Sequence, residues 1–217
     1  MTAEAVPVRQ SPVKQHPVRP RPATIHPAWV RVTHWINAVA ILVMIGSGWQ
    51  IYDASPLPLF GFVFPTTITL GGWLAPGIAW HLAGMWVFVI NGIVYVTLGL
   101  ATGRFRAKLF PIRPREVLHD LFAALRGRLA HDDLSTYNAV QRLLYFAVIC
   151  TGVVIVLSGI SIWKPVQFQE LTALFGGYDR ARYVHFFAMS TFVGFLAVHI
   201  AVALIVPKSL RAMITGR

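Results

Sequence analysis

A chain of 217 residues could form one domain or, at a stretch, two. Its composition, 56% hydrophobic and only 12% charged, falls well short of the roughly 25% charge of a soluble domain, so the apolar residues must face lipid. The net charge of +11 would suit nucleic acid only as a basic face on a soluble domain; here the basic residues lie between apolar runs, where membrane orientation is encoded, and nucleic-acid binding is excluded.

Residues 1–26 hold Pro7, Pro12, Pro17, Pro20 and Pro22 among Arg9, Lys14, Arg19 and Arg21. With no apolar core of its own, this stretch reads as a disordered basic tail, and it lacks the short apolar run of a secretory signal. Residues 27–217 form the membrane domain. Pro27 suits the opening of a helix, since the first helical position needs no amide donor. The first span runs over about 30–52, and about twenty apolar residues match the hydrocarbon thickness. A loop with Pro56, Pro58, Pro65 and Gly71-Gly72 follows. Its Phe60, Phe62, Phe64 and Trp73 place it at the membrane surface. The second span covers about 78–101.

The central polar stretch, 104–137, contains an amphipathic segment from Pro114 to Leu129. There Val117, Leu118, Leu121, Phe122, Leu125 and Leu129 recur at helical spacing among charged residues, as in a surface helix. The third span covers about 139–163 and the fourth about 183–206, closed by Pro207 and Lys208. No internal repeat stands out. The fold expected is an all-α membrane protein, a four-transmembrane-helix bundle with an amphipathic surface helix in the central loop.

Charge then orients the chain. Of the 19 Lys and Arg residues, all but Lys164, Arg180 and Arg182 fall in the N-terminal tail, the central stretch and its borders, or the C-terminus. Four spans put those segments on one side, and the positive-inside rule makes that side cytoplasmic. The expectation is a multi-pass protein of the bacterial cytoplasmic membrane with both termini inside.

Four of the eight histidines, His34, His81, His185 and His199, fall in or at the apolar runs. Ionisable residues there are rare and usually functional. His185 and His199 share one helix, fourteen positions apart. At about 100° per residue they face nearly the same way, separated by roughly 21 Å along the axis. His34 lies at the depth of His199, near the cytoplasmic side, and His81 at the depth of His185, near the outer side. The topology therefore pairs His34 with His199 and His81 with His185. Two imidazoles facing one another across a porphyrin give bis-histidine axial ligation, which leaves iron no open position for oxygen and favours electron transfer. Zinc is the rival, but its three or four ligands must converge within about 2 Å of one metal, which residues this far apart on one helix cannot do. The single Cys150 and the lack of a C-x-x-C-H motif make any haem noncovalent. Cys150 itself reads as a small buried hydrophobe.

Other residues carry two readings each. Gly46, Gly48, Gly84, Gly92, Gly152, Gly159 and Gly194 could admit a flat macrocycle or serve ordinary helix contact. Arg31, Arg142 and Arg182 could meet haem propionates or anchor the surface. Asn37, Asn138 and Gln141 could line a quinone site or cap helix ends. His16, His26, His119 and His131 read as solvated.

With these residues in view, the chain resembles the bacterial cytochrome b561 and hydrogenase-type cytochrome b family, closest to its thiosulfate-reductase-like cytochrome b subunits. The segments that carry the resemblance are Arg31-Val-Thr-His-Trp35, Trp80-His-Leu-Ala-Gly-Met85, Tyr183-Val-His-Phe-Phe187 and Val198-His-Ile200. Leu70-Gly-Gly-Trp73, the stretch from Tyr137 to Tyr145, and Trp163-Lys-Pro-Val-Gln167 are similar to the thiosulfate-reductase-like branch. The resemblance implies two haem b groups on the same four histidines. It also implies an electron-transfer subunit between a quinone pool and a partner redox enzyme such as a molybdopterin oxidoreductase, rather than a standalone enzyme. The alternative is a self-contained quinone-linked oxidoreductase acting on superoxide or another small oxidant, with Lys164, Arg180 and Arg182 attracting the anion.

Overall fold

A computed structural model describes residues 25–126 and 136–216. Most of the expected basic tail, with His16, and the stretch holding His131 and Leu129 lie outside the described residues. Within them the chain is helical: α1 (Ala28–Ala54), α2 (Leu74–Ala101), α3 (Arg104–Leu109), α4 (Pro114–Leu125), α5 (Ala139–Trp163), α6 (Gln169–Leu174), α7 (Tyr178–Ile205) and α8 (Pro207–Thr215). The four long helices, α1, α2, α5 and α7, are apolar enough and long enough to cross a membrane. Their 27, 28, 25 and 28 residues span about 38–42 Å at 1.5 Å per residue. That exceeds a hydrocarbon core of about 30 Å, and the surplus is taken up by tilt or by protruding ends. Val39, Ile90, Val153 and Leu204 are exposed on their outer faces, as lipid-facing residues must be. Cys150 is exposed as well, which corrects its reading as buried: it lies on a lipid-facing surface of α5.

Two hairpins build the bundle. α1 lies along α2, and α5 along α7. Gly84 lets α2 approach α1, because a Cβ there would meet Met44 Sδ and Val43 Cγ1 at 3.1 Å. Between hairpins the long-helix backbones stay apart. Side chains bridge the interval instead, with Tyr52 on Phe186 at 5.1 Å, Phe88 on Phe192 at 6.1 Å and Trp86 on Trp163 at 6.4 Å between ring centres.

Both ends are tied. At one, Ile25 N–H donates to the Gly216 carbonyl at 2.9 Å and Arg31 donates to the Ile214 carbonyl at 2.7 Å. Arg104 reaches the Ile25 carbonyl and His26 Nδ1, each at 3.5 Å. The start of α1, the end of α8 and the start of the central loop therefore meet at this terminal end. At the far end, Arg182 donates to the carbonyl and hydroxyl oxygens of Ser55. The aromatic loop after α1 folds back there: Phe64 stacks on Trp49 at 4.6 Å, Phe60 on Phe186 at 5.2 Å, and Phe64 N–H donates to Asp53 at 2.8 Å.

Several boundaries differ from expectation for identifiable reasons. α2 and α7 begin earlier, at Leu74 and Tyr178. Gly176 and Gly177, at φ +81° and +101°, make the turn that lets α7 start before its apolar stretch. Pro207 ends α7 and also opens α8 at its first helical position, whereas Pro27 stands one residue earlier than expected, as the N-cap of α1. α4 closes at Leu125. His26 is buried, not solvated; burial first, then the neighbouring Arg104, His34, Lys108 and Arg31, lower its pKa to about 4. His119 is exposed beside Asp120 at 3.2 Å.

Candidate functional site

The four span histidines come together in two pairs. His34 of α1 and His199 of α7 have ring centres 6.0 Å apart with planes inclined at 54°. His81 of α2 and His185 of α7 are 6.3 Å apart at 69°. Each pair joins one hairpin to the other, and all four residues are half-buried. An imidazole nitrogen stands about 2 Å from a metal it ligates, and the ring centre lies about 1 Å further back. Two imidazoles on opposite faces of one iron therefore have centres roughly 6 Å apart. Both separations fit a haem iron between the rings. The chemistry of the donors fits too, since neutral imidazole nitrogens are common axial ligands of haem iron.

The far-end pair is held by hydrogen bonds. Ser47 Oγ lies 3.1 Å from His81 Nδ1. Ser158 Oγ lies 3.1 Å from His185 Nδ1, and the Ile155 carbonyl 3.0 Å from that nitrogen. Ser47 and Ser158 are wholly buried. Gly48 and Gly159 border the same rings: a Cβ would meet His81 Cε1 at 3.2 Å and His185 Cε1 at 3.1 Å. The glycines thus divide. Gly48 and Gly159 make room for ligand rings, whereas Gly46 abuts Leu70, Gly152 faces Phe192 at 3.8 Å, and Gly92 and Gly194 face open space.

The terminal-end pair is held by ring contacts. Phe195 stacks on His199 at 5.6 Å, and Trp35 meets His34 edge-on at 5.2 Å. Asn91 donates to the Thr33 carbonyl at 2.7 Å, fastening α2 to α1 beside this pair. Three buried polar atoms here have no hydrogen-bond partner among the described residues: Arg31 Nε, His34 Nδ1 and Asn37 Oδ1. They recur every three residues and so share one face of α1.

The remaining candidates separate on their partners. Asn138 and Gln141 form a reciprocal capping box at the start of α5, with bonds of 2.7 and 3.1 Å, so capping accounts for both. Arg142 donates to the carbonyls of Tyr137 and Pro111 at 3.0 and 3.1 Å. Arg182 is bound to Ser55. Only Arg31 among the three arginines keeps a buried, unpartnered donor. Sequence reasoning missed Ser47 and Ser158. Their only signal is a Ser-Gly dipeptide in the span preceding each of His81 and His185.

A bundle of four long apolar helices that brings imidazoles together in two pairs across two hairpins suits a membrane cytochrome of the b type. The prokaryotic cytochrome b561 family matches residues 25–216, and the chain belongs to that family. It is accordingly an integral membrane, haem b electron-transfer subunit. It is 50% identical over 188 residues to a protein of Azospira oryzae named "Putative protein-methionine-sulfoxide reductase subunit YedZ1", covering 87% of this chain and 94% of that one.

Proposed function

We propose that His34 with His199 and His81 with His185 each ligate one haem b, and that the chain carries electrons between a quinone pool and a partner redox enzyme. The observation that carries this reading is the pair of ring separations, 6.0 and 6.3 Å, at the two ends of α7. Bound haem supplies reversible one-electron chemistry. The chain's own part is to occupy both axial positions, which keeps oxygen from the iron. It also holds the two centres at different depths, joined through one rigid helix.

The terminal end is the cytoplasmic one, because most Lys and Arg residues lie in the segments that meet there. The bacterial cytoplasmic membrane is the compartment that rule describes. The quinone site is placed beside His34, where Arg31 Nε and Asn37 Oδ1 are buried without partners. A quinone presents carbonyl oxygens as acceptors, and a quinol presents hydroxyls as donors. Arg31 answers the first and Asn37 the second.

The partner reading is supported by the Azospira oryzae relative, which is named as a putative subunit of a protein-methionine-sulfoxide reductase. We assign this chain a partner of that reaction class, a molybdopterin oxidoreductase docking at the far end. The self-contained alternative needs free cations beside His81 and His185. Of Lys164, Arg180 and Arg182, Arg182 is bound to Ser55 and Lys164 lies over the Trp163 ring at 5.0 Å, which leaves the exposed Arg180 and favours the subunit reading.

Haem stoichiometry tests the core of this reading. Purified protein should hold about two haems per chain, with low-spin b-type bands in the reduced-minus-oxidised spectrum. A ratio near one, or high-spin iron, would refute it. Co-purification of a molybdenum-containing protein tests the partner separately.

A further inference from the structure

The two hairpins repeat one local design around the far-end pair. In α1, Ser47 donates its hydroxyl hydrogen to the Val43 carbonyl at 2.6 Å; in α5, Ser158 donates to the Val154 carbonyl at 2.7 Å. Each serine is followed by the glycine that makes room for the ring, and each oxygen faces the Nδ1 of the histidine on the next long helix. Three residues before Ser158, the Ile155 carbonyl also turns to the His185 ring. Seven residues beyond each histidine stand Phe88 and Phe192, which meet across the hairpins. Sequence comparison alone shows no such repeat, because outside these positions the paired segments share few side chains.

This arrangement fixes a proton. A hydroxyl has one hydrogen, and in both serines it is directed to the carbonyl one turn back. The oxygen can then only accept from Nδ1, so Nδ1 must carry the ring proton. The carbonyl of Ile155, an acceptor only, requires the same of His185. Nε2 is left with its lone pair, the form that ligates metal. An imidazole whose N–H is engaged by an acceptor is a more basic ligand and a more tightly oriented one.

We infer that Ser47 and Ser158 are positioning residues for the far-end haem: they fix the tautomer and ring orientation of His81 and His185 and thereby lower that haem's reduction potential. This rests on the proposed ligation. A more basic ligand stabilises ferric over ferrous iron, so engaging Nδ1 lowers the potential. The terminal-end pair lacks the device, since no hydroxyl meets His34 Nδ1, which has no partner among the described residues.

The test is potentiometric titration with optical and low-spin EPR detection, on the purified full chain in detergent. The far-end component is first identified as the one absent from His185→Ala. Fewer than two haems in the parent protein would defeat the ligation reading itself, before any serine variant is examined. With two present, Ser47→Ala and Ser158→Ala should each move the far-end midpoint to more positive potential. They should also shift its EPR signal, which reports how the two imidazole planes lie, and leave the terminal-end component where it was. Ser158→Thr, which keeps a hydroxyl able to make both contacts, should stay near the parent potential. Unchanged midpoints in both alanine variants, or equal shifts of both haems, would overturn the inference.

Discussion

At the far end of the bundle, both rings of the His81–His185 pair are engaged at Nδ1 by buried serines, and glycines make room for them. At the terminal end, His34 and His199 stand at nearly the same separation but are steadied by Trp35 and Phe195, with Arg31 Nε, His34 Nδ1 and Asn37 Oδ1 unpartnered around them. The far end thus satisfies its polar groups within the chain, and the terminal end leaves some for something else to satisfy. Buried polar atoms without partners cost about 1–3 kcal/mol each, and the three at the terminal end, unpartnered among the described residues, are what the proposed quinone site rests on. Similar pair geometry is therefore set in two different surroundings, polar contacts satisfied at one end and left open at the other.

Removing one ligand makes the largest break in this comparison. His199→Ala should halve the haem content by emptying the terminal end alone, and His185→Ala should do the same at the far end. Haem-to-protein ratios and reduced-minus-oxidised spectra would show it; loss of both haems from either variant would contradict independent pairs.

A smaller effect should come from crowding a ring. Gly159→Val or Gly48→Val would push a side chain against His185 or His81, whose Cε1 atoms lie 3.1 and 3.2 Å from a Cβ. Overpacking of that kind costs about 1–3 kcal/mol. Far-end haem occupancy should fall, while Gly194→Val, at a position facing open space, should leave it unchanged.

Below that in size is a change confined to the terminal end. Arg31→Gln should keep both haems but slow reduction of the terminal-end haem by a quinol roughly ten- to a hundredfold, in line with one lost charge-assisted hydrogen bond of about 1.5–3 kcal/mol. Stopped-flow reduction by a soluble quinol analogue measures it, with reduction by dithionite as the control that should not change.

What the sequence made legible follows from which signals are long-range. Four apolar runs of membrane-spanning length set four helices, and α5 falls on the expected 139–163 because the Asn138–Gln141 capping box opens it and Lys164-Pro165 closes it. The histidine pairs were readable because antiparallel topology fixes depth: a residue near the start of α1 must lie level with one near the end of α7. Ser47 and Ser158 were not readable. A serine bonded to the carbonyl four residues back is ordinary in a membrane helix, and only the tertiary approach of His81 and His185 gives it a second partner. His26 failed for the opposite reason. It borders a polar, proline-rich stretch that looks solvated, yet the bond from Ile25 to Gly216 draws it under Arg104.

That misread histidine supplies the mildest prediction. His26 is buried among cations and its pKa is lowered from 6.5 to about 4. Its imidazole accepts from Arg104 through Nδ1, which requires the neutral ring. A group whose folded pKa lies below its unfolded value binds more protons when released, so acid favours release. The stabilisation is therefore complete above pH 6.5 and is lost progressively as pH falls toward 4. The junction of residues 25–26 with Arg104 and Gly216 should loosen over that window, while the histidine pairs deeper in the bundle keep their haem. Amide exchange at Ile25 and Gly216, followed from pH 7 to pH 4.5 and corrected for intrinsic rates, should show protection falling in the parent protein. In His26→Leu, which has no titrating ring, it should stay flat. Equal loss of protection in both proteins would remove His26 as the cause and place the acid sensitivity elsewhere at the terminal end.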